Sequence, residues 1–230
     1  MGMTFLFVPG AWTGAWIWQA LKQKLEKQNH KVYTITLSGL NSESENRDFG
    51  LQDHVDDVKK LIQQHSLTDL ILVGHSYSGF VIGQVADQIP DKISRLIFIE
   101  AFLPTAGKNL LQAAELDPEE ETRAIKENDG KWPPPTLESL RQQPHLATEQ
   151  VKYLNNNFVD HPAKSVTDKA TIKSNKLDIP SVFIGEELSL SDEQKSVYGK
   201  VEFRELNGGH WTMLTELEKL TKILNEIATA

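Results

Sequence analysis

The sequence contains no cysteine, which excludes disulfide bridges, thiolate metal ligands and a cysteine nucleophile. It also lacks a long apolar run, since the stretch at residues 5–8 is too short to direct export or to span a bilayer. A reducing compartment fits the absence of cysteine. We therefore expect a cytoplasmic protein that does not associate with membranes.

Basic residues are in the minority: 24 Lys and Arg against 32 Asp and Glu give a net charge of −8, with the two signs scattered. Such a surface repels phosphate backbones, so we expect no nucleic-acid partner. No phosphate loop or dinucleotide fingerprint appears, and we expect no cofactor and no metal. We interpret the acidic run at 53–57, Asp-His-Val-Asp-Asp, as the solvated face of a helix. The oligomeric state is not predicted.

Short apolar runs alternate with stretches of helical period. The runs predict buried parallel strands at residues 5–8, 32–36, 70–73, 96–99, 182–184 and 201–206. The helical period predicts helices at residues 16–28, 51–65 and about 212–227. The alternation predicts a single α/β domain over residues 1–230, with a mostly parallel sheet and helices on both faces.

The alternation fails between about residues 104 and 175, where helical fragments surround Trp132 and the triplet Pro133-Pro134-Pro135. We expect this segment to form a helical cap over one end of the sheet. A proline triplet resists helix and sheet and stiffens the chain, which suits the wall of a pocket. An ordinary surface loop remains the alternative for the triplet. The polar run at 42–48 is expected to be a solvated loop.

Residues 74–79 read Gly-His-Ser-Tyr-Ser-Gly, between a predicted strand and an apolar helix. A serine hydroxyl is a poor nucleophile unless it is exposed, deprotonated during attack and close to donors for the developing oxyanion. A strand that turns abruptly into a helix exposes the residue at its apex, here Ser76, and needs small residues on either side. Gly74 satisfies this need. The strict pattern for such a turn is Gly-x-Ser-x-Gly, and Ser78 stands at its second glycine but is also small. We predict that Ser76 is the nucleophile, with a structural turn as the alternative.

Three histidines follow the turn, which is where the general base is expected when the nucleophile lies at a strand-to-helix turn of this kind. His145 and His161 fall in the predicted cap. His210 lies in a glycine-rich loop directly after the last predicted strand, where its side chain can reach the carboxyl edge of the sheet. We therefore predict that His210 is the general base.

The oxyanion needs two backbone donors beside the nucleophile. We expect them to be the amides of Tyr77, which follows Ser76, and of Ala11, in the loop after the first strand. Gly10 would let the backbone approach a substrate carbonyl closely, although Pro9-Gly10 is also an ordinary turn former.

Together with these motifs, several segments resemble the α/β-hydrolase superfamily, at residues 8–18, 36–40, 53–58, 98–104 and 132–135. Within it, the chain looks most like the branch that contains bacterial esterase-like hydrolases, plant methylesterases and plant hydroxynitrile lyases. The likeness covers nearly the whole chain. It implies the α/β-hydrolase fold and the chemistry of a serine hydrolase or a related lyase.

The resemblance also shows a gap at the catalytic acid. Many members of the family carry an aspartate in a Gly-x-x-Asp turn after the penultimate strand, but here the turn at 185–189 reads Gly-Glu-Glu-Leu-Ser. Glu100 ends the preceding strand, where the bacterial relatives usually have aspartate, and we predict that it orients the histidine. Glu186 or Glu187 in a shifted turn, or the lack of any functional acid, are the alternatives.

Two positions separate this chain from the lyases of the branch, which have threonine at the position of Gly10 and lysine at the position of Trp211. The expected function is hydrolysis of a small carboxylic ester through an acyl-enzyme. We expect Gly10, Trp12, Trp132 and Trp211 to line the substrate pocket, although buried tryptophans are as often core residues. A ligand-binding protein without turnover and a C–C lyase are the alternatives, and the acyl and alcohol groups are not predicted.

Overall fold

The computed structural model describes residues 2–41, 48–173, 176–188 and 190–229. Most of the polar run at 42–48 therefore lies outside the described residues. The last two positions of the predicted cap and Ser189, in the turn after the penultimate strand, lie outside them as well.

Six of the described strands form one sheet in which every neighbouring pair is parallel. The strands are β1 (Thr4–Val8), β2 (Lys31–Thr34), β3 (Leu70–His75), β4 (Ile93–Ile99), β5 (Lys131–Trp132), β6 (His161–Pro162), β7 (Ser181–Gly185) and β8 (Val201–Glu205). The order across the sheet is β2-β1-β3-β4-β7-β8, while β5 and β6 form a separate antiparallel pair. The predicted parallel α/β sheet is confirmed.

Helices cover much of the rest of the described chain. They are α1 (Gln19–Lys27), α2 (Leu51–Gln64), α3 (Ser78–Gln88), α4 (Leu110–Ala113), α5 (Pro118–Glu127), α6 (Leu137–Gln142), α7 (Thr148–Asn157), α8 (Ala163–Thr167), α9 (Asp192–Tyr198), α10 (Thr212–Thr215) and α11 (Leu217–Thr229). Short 3-10 helices cover Ala15–Trp18 and Pro90–Lys92. None of the described helices combines the length and the apolar character that a bilayer crossing requires.

The central strands are buried on both faces because successive side chains point to opposite sides of the sheet. In β1, Leu6 and Val8 pack into one hydrophobic cluster with α2 and α3, whereas Phe5 and Phe7 pack into a second cluster with α1 and α11. Two helical layers therefore enclose the sheet. The carboxyl ends of the strands, where the predicted site residues lie, share one edge.

The solvated-face interpretation of residues 53–57 is wrong for His54 and Val55, which are fully buried. Helix α2 packs against α3, and its buried stripe runs through Leu51, His54, Val55 and Val58. Because these positions recur at helical spacing, the stripe draws the histidine inside and leaves Gln52, Asp53 and Asp56 outward.

The segment between β4 and β7 contains α4 to α8 and the β5–β6 pair. It is mainly helical, as the sequence predicts, but the two-residue strands β5 and β6 were not predicted. They pair Trp132 with His161. That residues 1–230 form a single domain with a cap insertion at about 104–175 stays a prediction.

Candidate active site

Ser76 lies between the end of β3 and the start of α3, with a backbone φ of +52°. This left-handed conformation is uncommon for a residue other than glycine. The turn is so tight that a Cβ at Gly74 would lie 2.8 Å from the carbonyl oxygen of Ser78. Ser76 is 7% exposed and lines a cavity. The structure therefore places this serine at the apex of a sharp strand-to-helix turn.

Ser78 stands where the strict hydrolase pattern has glycine, and its side chain has a bonding role. Its hydroxyl donates a hydrogen bond to the carbonyl oxygen of Pro9 in the loop after β1. The glycine that close packing requires is one residue later: a Cβ at Gly79 would lie 2.2 Å from the carbonyl oxygen of Phe102. The departure from the pattern thus ties together two loops at the edge of the sheet.

The N–H groups of Ala11 and Tyr77 donate no hydrogen bond within the described part of the chain. In the Gly10–Ala11 peptide, the carbonyl of Gly10 accepts a hydrogen bond of 2.9 Å from the hydroxyl of Thr13. The N–H and C=O of a planar trans peptide point in opposite directions. The bond from Thr13 therefore fixes the direction of the free N–H of Ala11.

The Ser76–Tyr77 peptide is held in the same way. The carbonyl of Ser76 accepts hydrogen bonds from the N–H groups of Gly79 and Phe102, at 3.1 and 3.2 Å. These two bonds fix the direction of the free N–H of Tyr77. Two unpaired donors in fixed directions are what an oxyanion site requires.

Gly10 lies where the loop after β1 packs closely against the turn that contains Ser76. A Cβ at this position would lie 2.7 Å from Nδ1 of His75 and 3.1 Å from Cβ of Ser76. A side chain at position 10 would therefore displace the histidine or the serine.

His210 lies in the loop between β8 and α10, and its ring lines the same cavity as Ser76. The neighbouring ring of His75 lies 4.7 Å from it, centroid to centroid, and Nε2 of His75 donates to the carbonyl oxygen of His210 at 2.8 Å. Burial lowers the pKa of His210 to about 4. At neutral pH the ring is therefore uncharged, the form that accepts a proton.

Glu100 directly follows β4 with a φ of +43°, and its Oε1 accepts a hydrogen bond of 2.8 Å from the N–H of Glu186. Burial raises the pKa of Glu100; the Glu186 N–H opposes this rise and the Glu186 carboxylate adds to it. The carboxylate of Glu186 accepts a hydrogen bond of 2.8 Å from the N–H of Gly209, next to His210. Among the described residues, no hydrogen bond joins either carboxylate to the His210 ring. Glu187 is exposed and lines a different pocket.

The cavity that contains Ser76 has a volume of about 610 Å³. Trp12 and Trp132 lie in its wall with their ring centroids 4.3 Å apart, and Nε1 of Trp12 donates to the carbonyl oxygen of Trp132. The remaining described lining residues are Ala11, Phe102, Leu110, Ala114, Leu116, Glu120, Glu121, Ala124, Pro133, Pro134, Pro135, Thr136, Ser139 and His210. The wall is mostly apolar and comes largely from the segment between β4 and β7.

We expected Trp211 and Gly10 in this pocket, but neither is among its described lining residues. Trp211 is only 2% exposed, its indole packs against His75 and Phe158, and its Nε1 donates to Gln143. It is a core residue whose ring also contacts the ring of His210 edge-on, with centroids 5.2 Å apart.

Thr13, His75 and the two acidic lining residues Glu120 and Glu121 were not predicted from the sequence. His75 was assigned no role because it lies within the turn, before Ser76, and only the histidines after the turn were considered as the general base. Its signal was its position: a histidine that ends a fully buried strand needs hydrogen-bond partners, and its Nε2 finds one in the His210 loop.

Comparison with known proteins places the chain among esterase-like relatives. Residues 5–220 match the model of the Alpha/beta hydrolase family. The carbendazim hydrolyzing esterase of Nocardioides sp. (strain SG-4G) is 39% identical over 109 residues, 46% of this chain and 45% of that protein. The polyneuridine aldehyde esterase of Rauvolfia serpentina is 31% identical over 109 residues, 46% of this chain and 41% of that protein. The matches thus span less than half the length of these curated relatives.

Solved structures agree with the fold. An extracellular alpha/beta-hydrolase from a Paenibacillus species superposes with a TM-score of 0.86 at 24% identity, over 99% of this chain and 100% of that one. The methylesterase MES16 from Arabidopsis superposes with a TM-score of 0.76 at 20% identity, over 99% of both chains. At these identities the likeness shows the fold alone.

Proposed function

Because this chain belongs to the alpha/beta hydrolase family, we propose that it is a serine esterase that hydrolyses small carboxylic esters through an acyl-enzyme intermediate. One observation carries the proposal. Ser76, at the apex of its turn, shares a cavity with an uncharged histidine and lies beside two backbone N–H groups that have no hydrogen-bond partner among the described residues. The relatives named as esterases support an ester as the bond that is cleaved.

In the proposed reaction, the hydroxyl oxygen of Ser76 attacks the ester carbonyl carbon while His210 accepts the hydroxyl proton. The N–H groups of Ala11 and Tyr77 stabilise the tetrahedral oxyanion. His210 then gives the proton to the departing alcohol. Water deprotonated by His210 attacks the acyl-enzyme, which releases the acid and restores Ser76.

We assign the orienting carboxylate to Glu100. It lies at the carboxyl end of β4, and its partner Glu186 binds the residue next to His210. A carboxylate here would hold the Nδ1 proton of His210 and stabilise the imidazolium that forms during attack. Glu186, in turn, would hold the His210 loop through Gly209.

The test is a stopped-flow assay of Ser76→Ala with p-nitrophenyl esters of increasing acyl length. We expect the burst of nitrophenol to disappear and kcat/KM to fall by about 10⁴-fold or more. Ser66→Ala is the matched control, because Ser66 is an exposed serine with a similar left-handed φ of +50°. Undiminished turnover by Ser76→Ala would refute the proposal.

A second candidate is a protein that binds a small ligand without turnover. It is favoured because no carboxylate in the described part of the chain forms a hydrogen bond with the His210 ring. One relative, from Nicotiana tabacum, is named salicylic acid-binding protein 2 and is 34% identical over 111 residues. A pure binding protein would give no burst with an activated ester. The same experiment therefore decides between the two.

A further inference from the structure

A buried polar network lies behind the two loops that carry the free N–H groups. Its side chains, all fully or almost fully buried, are His54, Tyr77, His161 and Ser165. Nδ1 of His54 lies 2.7 Å from the hydroxyl of Tyr77, and Nε2 of His161 lies 2.8 Å from the hydroxyl of Ser165. Neither histidine has a role in the proposed reaction.

The partners of His161 determine which of its ring nitrogens carries the proton. The hydroxyl of Ser165 donates its proton to the carbonyl oxygen of Pro162 at 2.8 Å, so it must accept from Nε2–H of His161. Nδ1 is therefore unprotonated and accepts the backbone N–H of Trp12 at 3.3 Å. Burial lowers the pKa of His161 well below its ordinary value and keeps the ring neutral.

Trp12 needs such a partner because its backbone is strained. Its φ of +62° is rare for a bulky residue, and conformations of this kind persist only where neighbouring groups hold them. Two bonds hold this residue: His161 accepts its N–H, and its carbonyl accepts the N–H of Val159 at 3.1 Å. Ala11, the residue with the free N–H, comes directly before it.

His161 also contacts the other half of the site. Its ring packs edge-on against the ring of Tyr77, with centroids 4.8 Å apart and an interplanar angle of 75°. Strand β6 thus brings one side chain into contact with Trp12 and Tyr77, which belong to two loops far apart in sequence.

We propose that His161 is a positioning residue of the oxyanion hole, which holds the loop of Ala11 in its strained form and fixes its place relative to Tyr77. The inference rests on the proposed function of Ser76. Without the acceptor, Trp12 relaxes towards an ordinary φ and the N–H of Ala11 shifts. A shifted donor weakens the bond to the oxyanion, which exists only in the transition state, and leaves ground-state binding almost unchanged.

The experiment compares His161→Leu and His161→Asn with the same two changes at His30. His30 is the matched control: it is 6% exposed and its Nδ1 accepts a backbone N–H from Met3 at 3.1 Å, at a site remote from the cavity. We expect kcat for an activated ester to fall roughly 10- to 100-fold in His161→Leu, with KM changed less than about twofold. His161→Asn should recover part of kcat, since its amide oxygen can accept from Trp12. Neither change at His30 should alter kcat.

A second readout does not depend on ester turnover. With a fluorophosphonate, Ser76 Oγ bonds to phosphorus, fluoride leaves and His210 takes the proton, while the P=O oxygen occupies the oxyanion position. We expect the rate of this labelling to fall in His161→Leu by a factor similar to that of kcat. If the wild-type protein is labelled but hydrolyses no ester, the proposed substrate class is wrong. The labelling rates of the variants then still test the role of His161.

Several results would overturn the inference: a folded His161→Leu with wild-type kcat and labelling rate, an effect confined to KM, or equal losses at His30. If His161→Leu fails to fold, Ser165→Ala replaces it. This variant removes the acceptor that fixes the Nε2–H tautomer, and we expect kcat to fall several-fold. A wild-type kcat in folded Ser165→Ala would also overturn the inference.

Discussion

Ser78 links the two loops of the site through the carbonyl of Pro9. Replacing it with glycine would restore the strict hydrolase pattern but leave that buried carbonyl without a partner. We expect Ser78→Gly to lower the free energy of unfolding by about 1–3 kcal/mol, measured by urea denaturation. Ser78→Ala separates the lost hydrogen bond from the added backbone freedom of glycine. A Ser78→Gly protein as stable as wild type would show that the bond contributes nothing.

The two carboxylates near His210 can be ranked by amide substitution. Glu100→Gln removes the charge proposed to stabilise the imidazolium, and we expect kcat to fall by about 10²- to 10⁴-fold. Glu186→Gln keeps an oxygen that can accept the N–H of Gly209, so we expect kcat of this variant to fall by no more than about tenfold. Steady-state kinetics with one activated ester measures both, with exposed Glu187→Gln as control. The reverse ranking would assign the orienting role to Glu186.

Single residues were predictable where local sterics decide. The small neighbours of Ser76 predict a sharp turn, and the structure has one. The position of Trp211 was not predictable in the same way, because it depends on packing against the ring of His75. His75 lies 135 positions before His210, whose carbonyl oxygen it binds. The sequence offers no local sign of that contact.

Among the elements, α5 gives the cavity an acidic wall. Glu120 and Glu121 line it, and none of the described lining residues is lysine or arginine. We therefore expect an ester with a carboxylate in its acyl part to react several-fold more slowly than its neutral isostere, measured as kcat/KM. Added salt should reduce this difference in kcat/KM, because salt screens repulsion between charges that are exposed to solvent.

Substitutions in α5 test whether its acidic wall causes this difference between the charged and the neutral ester. Glu120→Gln and Glu121→Gln together should bring the two esters closer. Glu119→Gln, in the same first turn of α5 but not lining the cavity, removes one negative charge, as each of the other two changes does, and should have no such effect. Equal effects of all three changes would point to the overall charge of the molecule instead.

The bounds of helix α2 and strand β7 were predictable to within a few residues, because the helical period of α2 and the apolar run of β7 both end sharply. The predicted helix at 51–65 is observed at Leu51–Gln64, and the predicted strand at 182–184 at Ser181–Gly185. Strands β5 and β6 were missed because two residues carry no period, and their pairing joins positions about 30 residues apart. The break between α10 and α11 at Glu216 was missed for a similar reason.

For the whole molecule, three fully buried histidines make stability depend on pH. Burial lowers the pKa of His54, His75 and His161. Below their ordinary value of about 6.5, the unfolded chain binds protons that the folded protein excludes. The free energy of unfolding should therefore fall as the pH drops from 7 to 5, by up to about 1.4 kcal/mol per pH unit for each histidine.

Urea denaturation at a series of pH values measures this slope. A folded His161→Asn variant has one such histidine fewer and should show a shallower dependence. Stability that is flat or increases over this range would contradict the expectation.

At this scale, the fold class followed from the alternation of strands and helices, whereas the network between α2 and β6 did not. His54 and His161 lie 107 positions apart, and only the assembled chain brings both to Tyr77. A cytoplasmic location stays a prediction. One relative is named chloroplastic and one structural neighbour extracellular.

Three non-glycine residues at this edge of the sheet, Trp12, Ser76 and Glu100, have a left-handed backbone. Each such conformation costs on the order of 1–3 kcal/mol, and the rest of the fold must supply that energy. Glycine adopts this conformation without strain, so we expect Ser76→Gly and Glu100→Gly to resist heat better than the wild type while losing the proposed esterase activity. Screening variants for thermal endurance alone would therefore select against the nucleophile and the orienting acid of the proposed reaction.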